Sequence, residues 1–540
     1  LESSSLIGKS EHLPPFHSEN RIFIHCAFFI FYFMKNLTAL FIFFSLAGDE
    51  VYSQGKANNW LLGYNTLTDS FTSFPKARLV IDSITASIIP EIRKMPFNGN
   101  QANISDENGN LLMATNGCWV SNSTGDTMLN GTDINPGGFV TGYCSDHGGF
   151  IHPRLSIFFQ NPGDSSKYLL FHQAGNLALN NFMSSELYYS IIDLALDSGR
   201  GGIVPGGKNL FAIQDTLNLG LAACKHANGR DWWIVIMKND SDLIYSFLLT
   251  SAGISNLTLQ HLNLPSHVDY SGQPVFSPDG TKFSYSKFDG NSPYYTHNVG
   301  LVDFDRCNGI FSNPRYYDLT DSSFSMGICF SPNSKYLYSC SFTHVFQINT
   351  DSSIIDTIAT FDGFASPFPP FYTVFWTMYL GPNGKIYIST SGTLDLHYIN
   401  YPDSLGTSCD VKQHAIHLPC YESRSDVNHP NYYLGPIIGS TCDSLAHVGI
   451  NETDKYDFHF SVSPNPVSEG HLKIFYLLPQ NKPGWFKLYD AMGREVYKLP
   501  LPPWSTLQQI TFPQLADGIY HAVIFSDDKR IGKKVVVMSE

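Results

Sequence analysis

Charge is scarce in this chain. Of its 540 residues only 15% are Asp, Glu, Lys or Arg, and no basic cluster offsets the formal net charge of −14, so nucleic acid is not an expected partner. Long apolar runs are missing too. Leu37 to Ala47 and the Phe-rich run before Met34 are both too short to span a bilayer, and no other stretch approaches the ~20 residues required, so the mature chain is expected to carry no transmembrane segment. Extended helical periodicity is absent between residues 100 and 390. No Gly-x-Ser-x-Gly occurs, which leaves serine hydrolase chemistry of the elbow type without its nucleophile. Cys144, Asp146, His147 and His152 fall within nine residues, but no second Cys or His pair follows at zinc-finger spacing; no metal and no cofactor is expected. Ser105 to Asn110 has oxygen ligands at alternate positions, yet position twelve of that would-be calcium loop is Gly117, and a β-turn explains it better.

What is present is aromatic and repetitive. Tyr and Phe dominate an aromatic content of 14%, and apolar residues make up 43%, enough for a large core built from strands. Pro274 to Ser286 reads as strand, tight turn, strand: Val275 and Phe276, then Ser277-Pro278-Asp279-Gly280, then Phe283 and Tyr285 alternating with polar residues. Ile328 to Tyr338 and Met378 to Ile388 repeat the unit. With the turn Asp or Asn as phase mark, Asp279, Asn333 and Asn383 lie 54 and 50 residues apart, and Asn228 precedes Asp279 by 51. Weaker copies at Asp164 and Asn108 bring the marks to six. A period of about fifty residues holds four short strands, one blade of a β-propeller. The segments Trp60 to Ile92 and Leu394 to Tyr433 leave room for a seventh blade, ahead of six or eight, with the first and last segments sharing a sheet to close the ring. The marks themselves are hairpin turns rather than ligand sites.

At its start the chain has the form of a leader, residues 1–53. Met34-Lys35-Asn36 is a short basic start, Leu37 to Ala47 is apolar, and Val51-Tyr52-Ser53 offers small residues for cleavage. The mature start then lies near Gln54, and residues 1–33 look like translated upstream sequence. Export permits disulfides. Cys118 with Cys144 is one possible pair, and Cys409, Cys420 and Cys442 cluster at the presumed ring closure, where one bridge would lock the last blade. Nine Cys follow the leader, so at least one has no partner within the chain. Trp232, Trp233 and Trp376 sit in strand-like surroundings and read first as core or blade-packing residues; with His147 they are also the candidate ligand-binding residues, the tryptophans as stacking surfaces wherever they face the channel or the loops.

From about Asn58 to Asp443 the chain resembles the secreted, WD-like propeller proteins common in the Bacteroidetes. The residues that carry this are Ile104 to Leu112 with Gly125 to Gly131, Lys225-His-Ala-Asn-Gly-Arg-Asp-Trp-Trp233, the Ser-Pro-Asp-Gly marks, and Asn431-Tyr-Tyr-Leu-Gly-Pro-Ile437 before Cys442. The resemblance implies a propeller, residues 54–450, and names no catalytic residue. After a polar linker, 451–457, residues 458–540 read as a small immunoglobulin-like β-sandwich. Its ordered segments are Phe460 to Pro466 with Pro464, Asn465 and Pro466, Phe486 to Tyr497 with Asp490, Gly493 and Arg494, Leu515 to Ile524 with Gly518 and Tyr520, and Lys533-Lys534-Val-Val-Val537. They resemble the type A C-terminal sorting domain of the type IX secretion system. That implies passage through the Sec channel, recognition by the type IX machinery at the outer membrane, and removal of the domain with release or attachment to surface lipopolysaccharide. The expected fold class is therefore all-β, a propeller followed by a sandwich. The expected function is a binding module for a glycan or protein, with a secreted glycosidase or peptidase and a structural surface component as alternatives.

Overall fold

The computed structural model describes residues 55–538 other than 65–74, 148, 151, 174–182, 266–270, 290–295, 367–370, 438–439, 443–458, 468–470, 479–481, 504–506, 513–514 and 528. The leader lies outside the described residues. Helix among the described residues is limited to Gly138–His147, the four-residue Leu196–Gly199 and two short 3-10 turns; the strands pair antiparallel in small sheets joined by turns and irregular segments.

Seven sheets follow one another along residues 59–423. Sheet 1 comprises Asn59–Leu62, Lys76–Ile81 and Ala86–Glu91. Sheet 2 comprises Ala102–Ser105, Leu111–Thr115 and Val120–Ser121. Sheet 3 comprises Ser156–Asn161, Asp164–Gln173 and Met183–Asp193, with Gly202–Ile203 and Leu210–Asn218 both paired to its third strand. Sheet 4 runs Ala222–Lys225, Trp232–Met237, Leu243–Thr250 and Gly253–His261; sheet 5 runs Ser271–Phe276, Lys282–Asp289, Thr296–Asp305 and Ile310–Asp318. Sheet 6 is Ser325–Phe330, Tyr336–Ser341, His344–Asn349 and Ile355–Thr360, and sheet 7 is Met378–Leu380, Ile386–Ile388, Ser391–Ile399 and Val411–Ser423. In each four-stranded sheet the strands pair in chain order. Burial falls from inside to outside: Trp232–Met237 is wholly buried, whereas Gly253–His261 is mostly exposed. That gradient is what radial sheets packed face to face require.

Apolar clusters fill every interface around the ring. Leu61, Phe97 and Ala114 join sheets 1 and 2; Ile104, Phe159 and Trp232 lie in one cluster across sheets 2, 3 and 4. Trp233 and Phe283 join 4 and 5, Val299 and Phe346 join 5 and 6, Tyr338 and Ile388 join 6 and 7, and Trp60 and Tyr387 join 7 back to 1. The chain is an all-β propeller.

All six phase marks sit where the inner strand of a sheet turns into the second. Gly280 (φ 72°) shows why glycine is needed at one of them: a Cβ there would lie 2.6 Å from Cys224 Sγ and 2.8 Å from Leu434. Asp106 Oδ1 accepts the amides of Asn108 and Asn110, each at 2.9 Å, so the calcium-like loop is an Asx turn. Neighbouring turns touch, Ser334 Oγ accepting the Asp279 amide at 3.1 Å, and this end of the ring is called here the turn end. The longer connections between sheets lie at the loop end.

Closure differs from the shared sheet expected above. Sheets 1 and 7 each contain only their own contiguous strands. Trp60 instead packs edge-on against Tyr379 and Tyr387, with ring centroids at 5.8 and 6.4 Å, and its Nε1 donates to the Ser425 carbonyl at 2.7 Å. Aromatic packing and the segment after the last strand do the work of a common sheet.

Residues 459–537 form two further sheets around one core. His459–Ser463, His471–Leu477 and Leu507–Thr511 face Glu495–Leu501, Gly484–Tyr489, Gly518–Ser526 and Lys529–Val537, with Phe460, Ile474, Phe486 and Ile524 buried between them.

Candidate functional site

The channel of the ring is filled by the chain itself. After Ser423 the backbone turns inward from the loop end and runs beside the inner strands towards the turn end. Gln101 Nε2 donates to Ser425 Oγ at 2.7 Å, and Arg154 Nε to Asp426 Oδ2 at 2.7 Å. Asn428 Nδ2 donates to the carbonyls of Ser156 and Leu221, and His429 Nε2 lies 3.0 Å from the Asn103 carbonyl. Further on, Asn431 Nδ2 reaches the Pro278 carbonyl and Tyr432 OH the Phe158 carbonyl. The Ile437 amide then donates to the Ala227 carbonyl, Arg306 grips the Gly435 carbonyl, and Cys442 is disulfide-bonded to Cys307. At the centre, Gln273 bonds Asp426 and also accepts the amides of Ile328 and Met378 at 3.0 and 2.8 Å, tying sheets 5, 6 and 7 to the plug.

These bridges correct the expected cysteine pairing. Cys118 is bonded to Cys144, but Cys442 pairs with Cys307 rather than with Cys409 or Cys420. Those two are buried thiols in different clusters, one between sheets 6 and 7 and the other between sheets 7 and 1, while the threaded segment carries Cys442 across the ring. With its sulfur in a disulfide, Cys144 is no thiolate ligand, and no group of three or more metal-ligating side chains occurs among the described residues.

With the channel occupied, the two ends of the ring are where aromatic and charged side chains gather around openings. The loop end carries an aromatic wall between sheets 6 and 7. Trp376 stacks with Phe342 (centroids 4.8 Å, 29°) and Phe324 (5.3 Å, 26°), and the Arg424 guanidinium lies 4.9 Å from its ring centroid. Arg424 stands at φ 59° on the residue where the chain enters the channel; Nε donates to Ser391 Oγ at 3.1 Å, and no carboxylate pairs with it among the described residues. Next to Ser391, a Cβ at Gly392 would lie 3.5 Å from the Phe371 ring and 3.9 Å from Tyr64 OH, and Tyr64 in turn packs beside Tyr421 at 6.3 Å. The hairpin leading into sheet 7 adds Phe371 at 51% and Tyr372 at 63% exposure. Behind this wall Glu422 is fully buried, accepting the amides of Thr390 and Ser425; burial pushes its carboxyl up to about 8 despite those bonds. Burial likewise holds His152 down to about 3, so it is neutral at pH 7.

Of the four candidate residues, the structure brings Trp376 to this wall, 9% exposed at its edge, with Nε1 unpartnered among the described residues. Trp232 and Trp233 lie in the core at 3% and 4% exposure, the first of the two readings their strand-like surroundings allow, and not at a ligand-binding surface. Consecutive strand residues point to opposite faces, and sheet 4 is covered on both: Trp232 packs on Phe159 and Tyr432, and Trp233 on Phe304 with Nε1 on the Arg306 carbonyl. His147 ends the Gly138–His147 helix, and its side chain lies outside the described residues. Sequence reasoning missed Arg424, Phe342 and Tyr372. None lies in the repeated turn; the aromatic density of Phe361 to Trp376 signals Tyr372, and no local pattern signals Phe342 or Arg424.

In the C-terminal unit the motif residues hold the sandwich together. Asn465 Nδ2 donates to the Lys534 carbonyl and Asn465 Oδ1 accepts the Val536 amide, clamping the first strand to the last between Pro464 and Pro466. Asp490 Oδ1 accepts the amides of Met492 and Arg494 around Gly493 (φ 77°). Tyr520 OH donates to the Ala516 carbonyl, just before the strand that opens at Gly518. Residues 461–538 match the family described as the secretion system C-terminal sorting domain. The C-terminal unit is a type IX sorting domain.

The protein is accordingly exported to the cell surface or beyond, and this domain engages the type IX machinery. No described helix is long and apolar enough to cross a membrane. A search of curated proteins finds no significant match. Among solved structures, the chain is similar to hydrazine synthase of Kuenenia stuttgartiensis (12% identity, 64% of this chain and 96% of that one, TM-score 0.34). It is also similar to streptogramin B lyase (11%, 68% and 85%, 0.31) and to virginiamycin B lyase from Staphylococcus aureus (11%, 63% and 85%, 0.31).

Proposed function

We propose that the exported propeller is a binding module that holds a glycan or a protein segment on the aromatic wall at its loop end. The observation that carries this reading is the combination at Trp376: stacked rings, a guanidinium without a carboxylate partner among the described residues, and the exposed rings of Phe371 and Tyr372 beside them. Flat aromatic faces suit sugar rings and peptide planes, and a desolvated Arg over an aromatic ring adds a directional donor. Glu422 is occupied with backbone amides behind the wall, which makes it a support for the channel entrance rather than a general acid.

The test is glycan-array and peptide-library binding with the full chain, with product analysis of each hit. Tyr372→Ala and Arg424→Ala are each expected to weaken a true hit at least tenfold while leaving the circular dichroism spectrum unchanged. Hits indifferent to both substitutions would overturn the assignment of the site. Turnover of a bound glycan or peptide would replace the binding module by a hydrolase.

A further inference from the structure

At the turn end, beside the channel-filling residues Asn428 to Leu434, the inner strands of sheets 4 to 7 line a cavity of about 180 Å3. Its walls are largely apolar, with Val275, Phe276, Phe330 and Leu434 among them, and Leu507 of the sorting domain stands at its rim. That domain is seated on the same turn end: Lys473 Nζ donates to the Asn383 carbonyl and Gln509 Nε2 to the Gly384 carbonyl, both at 3.1 Å, while His471 stacks on Tyr401 at 4.1 Å.

Two long cationic side chains, Arg154 and Lys225, line this cavity, and Arg154 is already paired with Asp426. Lys225 Nζ rests 4.6 Å above the Trp232 ring and donates to the Gly229 carbonyl at 3.2 Å. The nearby carboxylates are engaged elsewhere. Glu107 pairs with Lys56 at 2.8 Å and accepts Tyr433 OH, and Asp231 pairs with Arg230 at 2.8 Å and accepts from Asn228. Lys56 and Arg306 add further positive charge; burial first, then these two cations, lowers Lys225 to about 8, so it is still mostly charged at pH 7. A buried ammonium whose partners are a carbonyl and an aromatic face is a place where an incoming anion gains most.

We infer that this cavity binds a small organic acid, its apolar body among Val275, Phe330 and Leu434 and its carboxylate against Lys225. An apolar cavity of roughly 150 Å3 accommodates benzene, so one ring with a short acid arm, on the order of ten non-hydrogen atoms, matches the space. The site is separate from the aromatic wall and stands or falls independently of it.

The experiment is calorimetric titration of the full chain with phenylacetate and with its neutral analogue phenylacetamide. Phenylacetate is expected to bind with a Kd of about 1 mM or tighter, and the amide at least tenfold more weakly. Lys225→Met should abolish that discrimination, Val275→Trp should fill the cavity and remove binding, and Arg424→Met at the loop end should change neither. Equal affinity for acid and amide, no binding of phenylacetate up to several times that Kd, or loss of binding in Arg424→Met with retention in Lys225→Met would each overturn the inference.

Discussion

Asp426 is the point at which the plug can be tested most sharply. Its side chain is fully buried and that of Arg154 is 8% exposed, and Arg154 joins it through Nε while NH2 reaches the Met378 carbonyl at 2.9 Å. Burial lifts the Asp426 carboxyl above the usual range even though Arg154 pulls it down, so desolvation outweighs the attraction, and the ion pair itself adds little over an apolar pair of equal volume. Removing one partner is another matter. Asp426→Ala leaves a guanidinium in the channel with a single carbonyl, which costs about 3–5 kcal/mol, plus ~1 kcal/mol for the lost Gln273 bond. Arg154→Met combined with Asp426→Leu restores volume without charge and is expected to lie within about 2 kcal/mol of the native chain. Urea unfolding followed by tryptophan fluorescence measures this, since Trp60 bonds the adjacent Ser425 carbonyl. A loss below ~1 kcal/mol for Asp426→Ala, or a double variant as unstable as the two singles combined, would refute a plug organised by this pair.

Two further outcomes follow from the same segment. Glu422 has a folded value of about 8 against 4.5 for the free side chain, so the native state holds the extra proton; its contribution is complete below pH 4.5 and is lost as pH rises towards 8, at about 1 kcal/mol per unit. Glu422→Gln should remove that slope in denaturation measured from pH 5 to pH 8, and an unchanged slope would show that the carboxyl is ionised in the fold. Cys307→Ser with Cys442→Ser opens a bridge spanning 135 residues, with an expected cost of about 2–5 kcal/mol and faster hydrogen exchange at the Ile437 amide, which is bonded to the Ala227 carbonyl. Unchanged exchange there would mean that the channel contacts alone fix the end of the segment.

The repeat was legible in the sequence because its signal is local. Asp or Asn followed by Gly, or by Ser334 at φ 63°, with alternating apolar residues on either side, specifies a tight turn within about ten residues, and Asp279, Asn333 and Asn383 each accept a nearby backbone amide in such a turn. The sorting motif was legible for the same reason: Asp490 and Gly493 shape one turn, and Tyr520 caps its own strand. The core positions of Trp232 and Trp233 were legible as the first reading of their strand-like surroundings, because in a ring of sheets both faces of a strand are covered and an aromatic on either face is core; the aromatic wall around Trp376 was not. Neither was the Cys307 pairing, since it depends on where Ser425 to Cys442 runs, and that stretch has no period.

That stretch reads as a polar coil, Ser425-Asp-Val-Asn-His-Pro-Asn431, of a composition that normally stays at a surface. It is buried because its polar groups meet backbone or side-chain partners spread over five sheets: sheet 1 at Trp60, sheet 2 at Gln101 and Asn103, sheet 3 at Arg154, sheet 4 at Leu221 and sheet 5 at Gln273. Partners so dispersed are invisible to any window along the chain. The consequence for function is direct. A ring whose centre is filled by its own C-terminal segment has no through-channel for a ligand, so recognition is pushed to its two ends. Those ends differ in chemistry, stacked rings with a guanidinium that meets no carboxylate among the described residues at one and a partly open cavity beside the Lys225 ammonium at the other, and a substitution at one leaves the other available as its control.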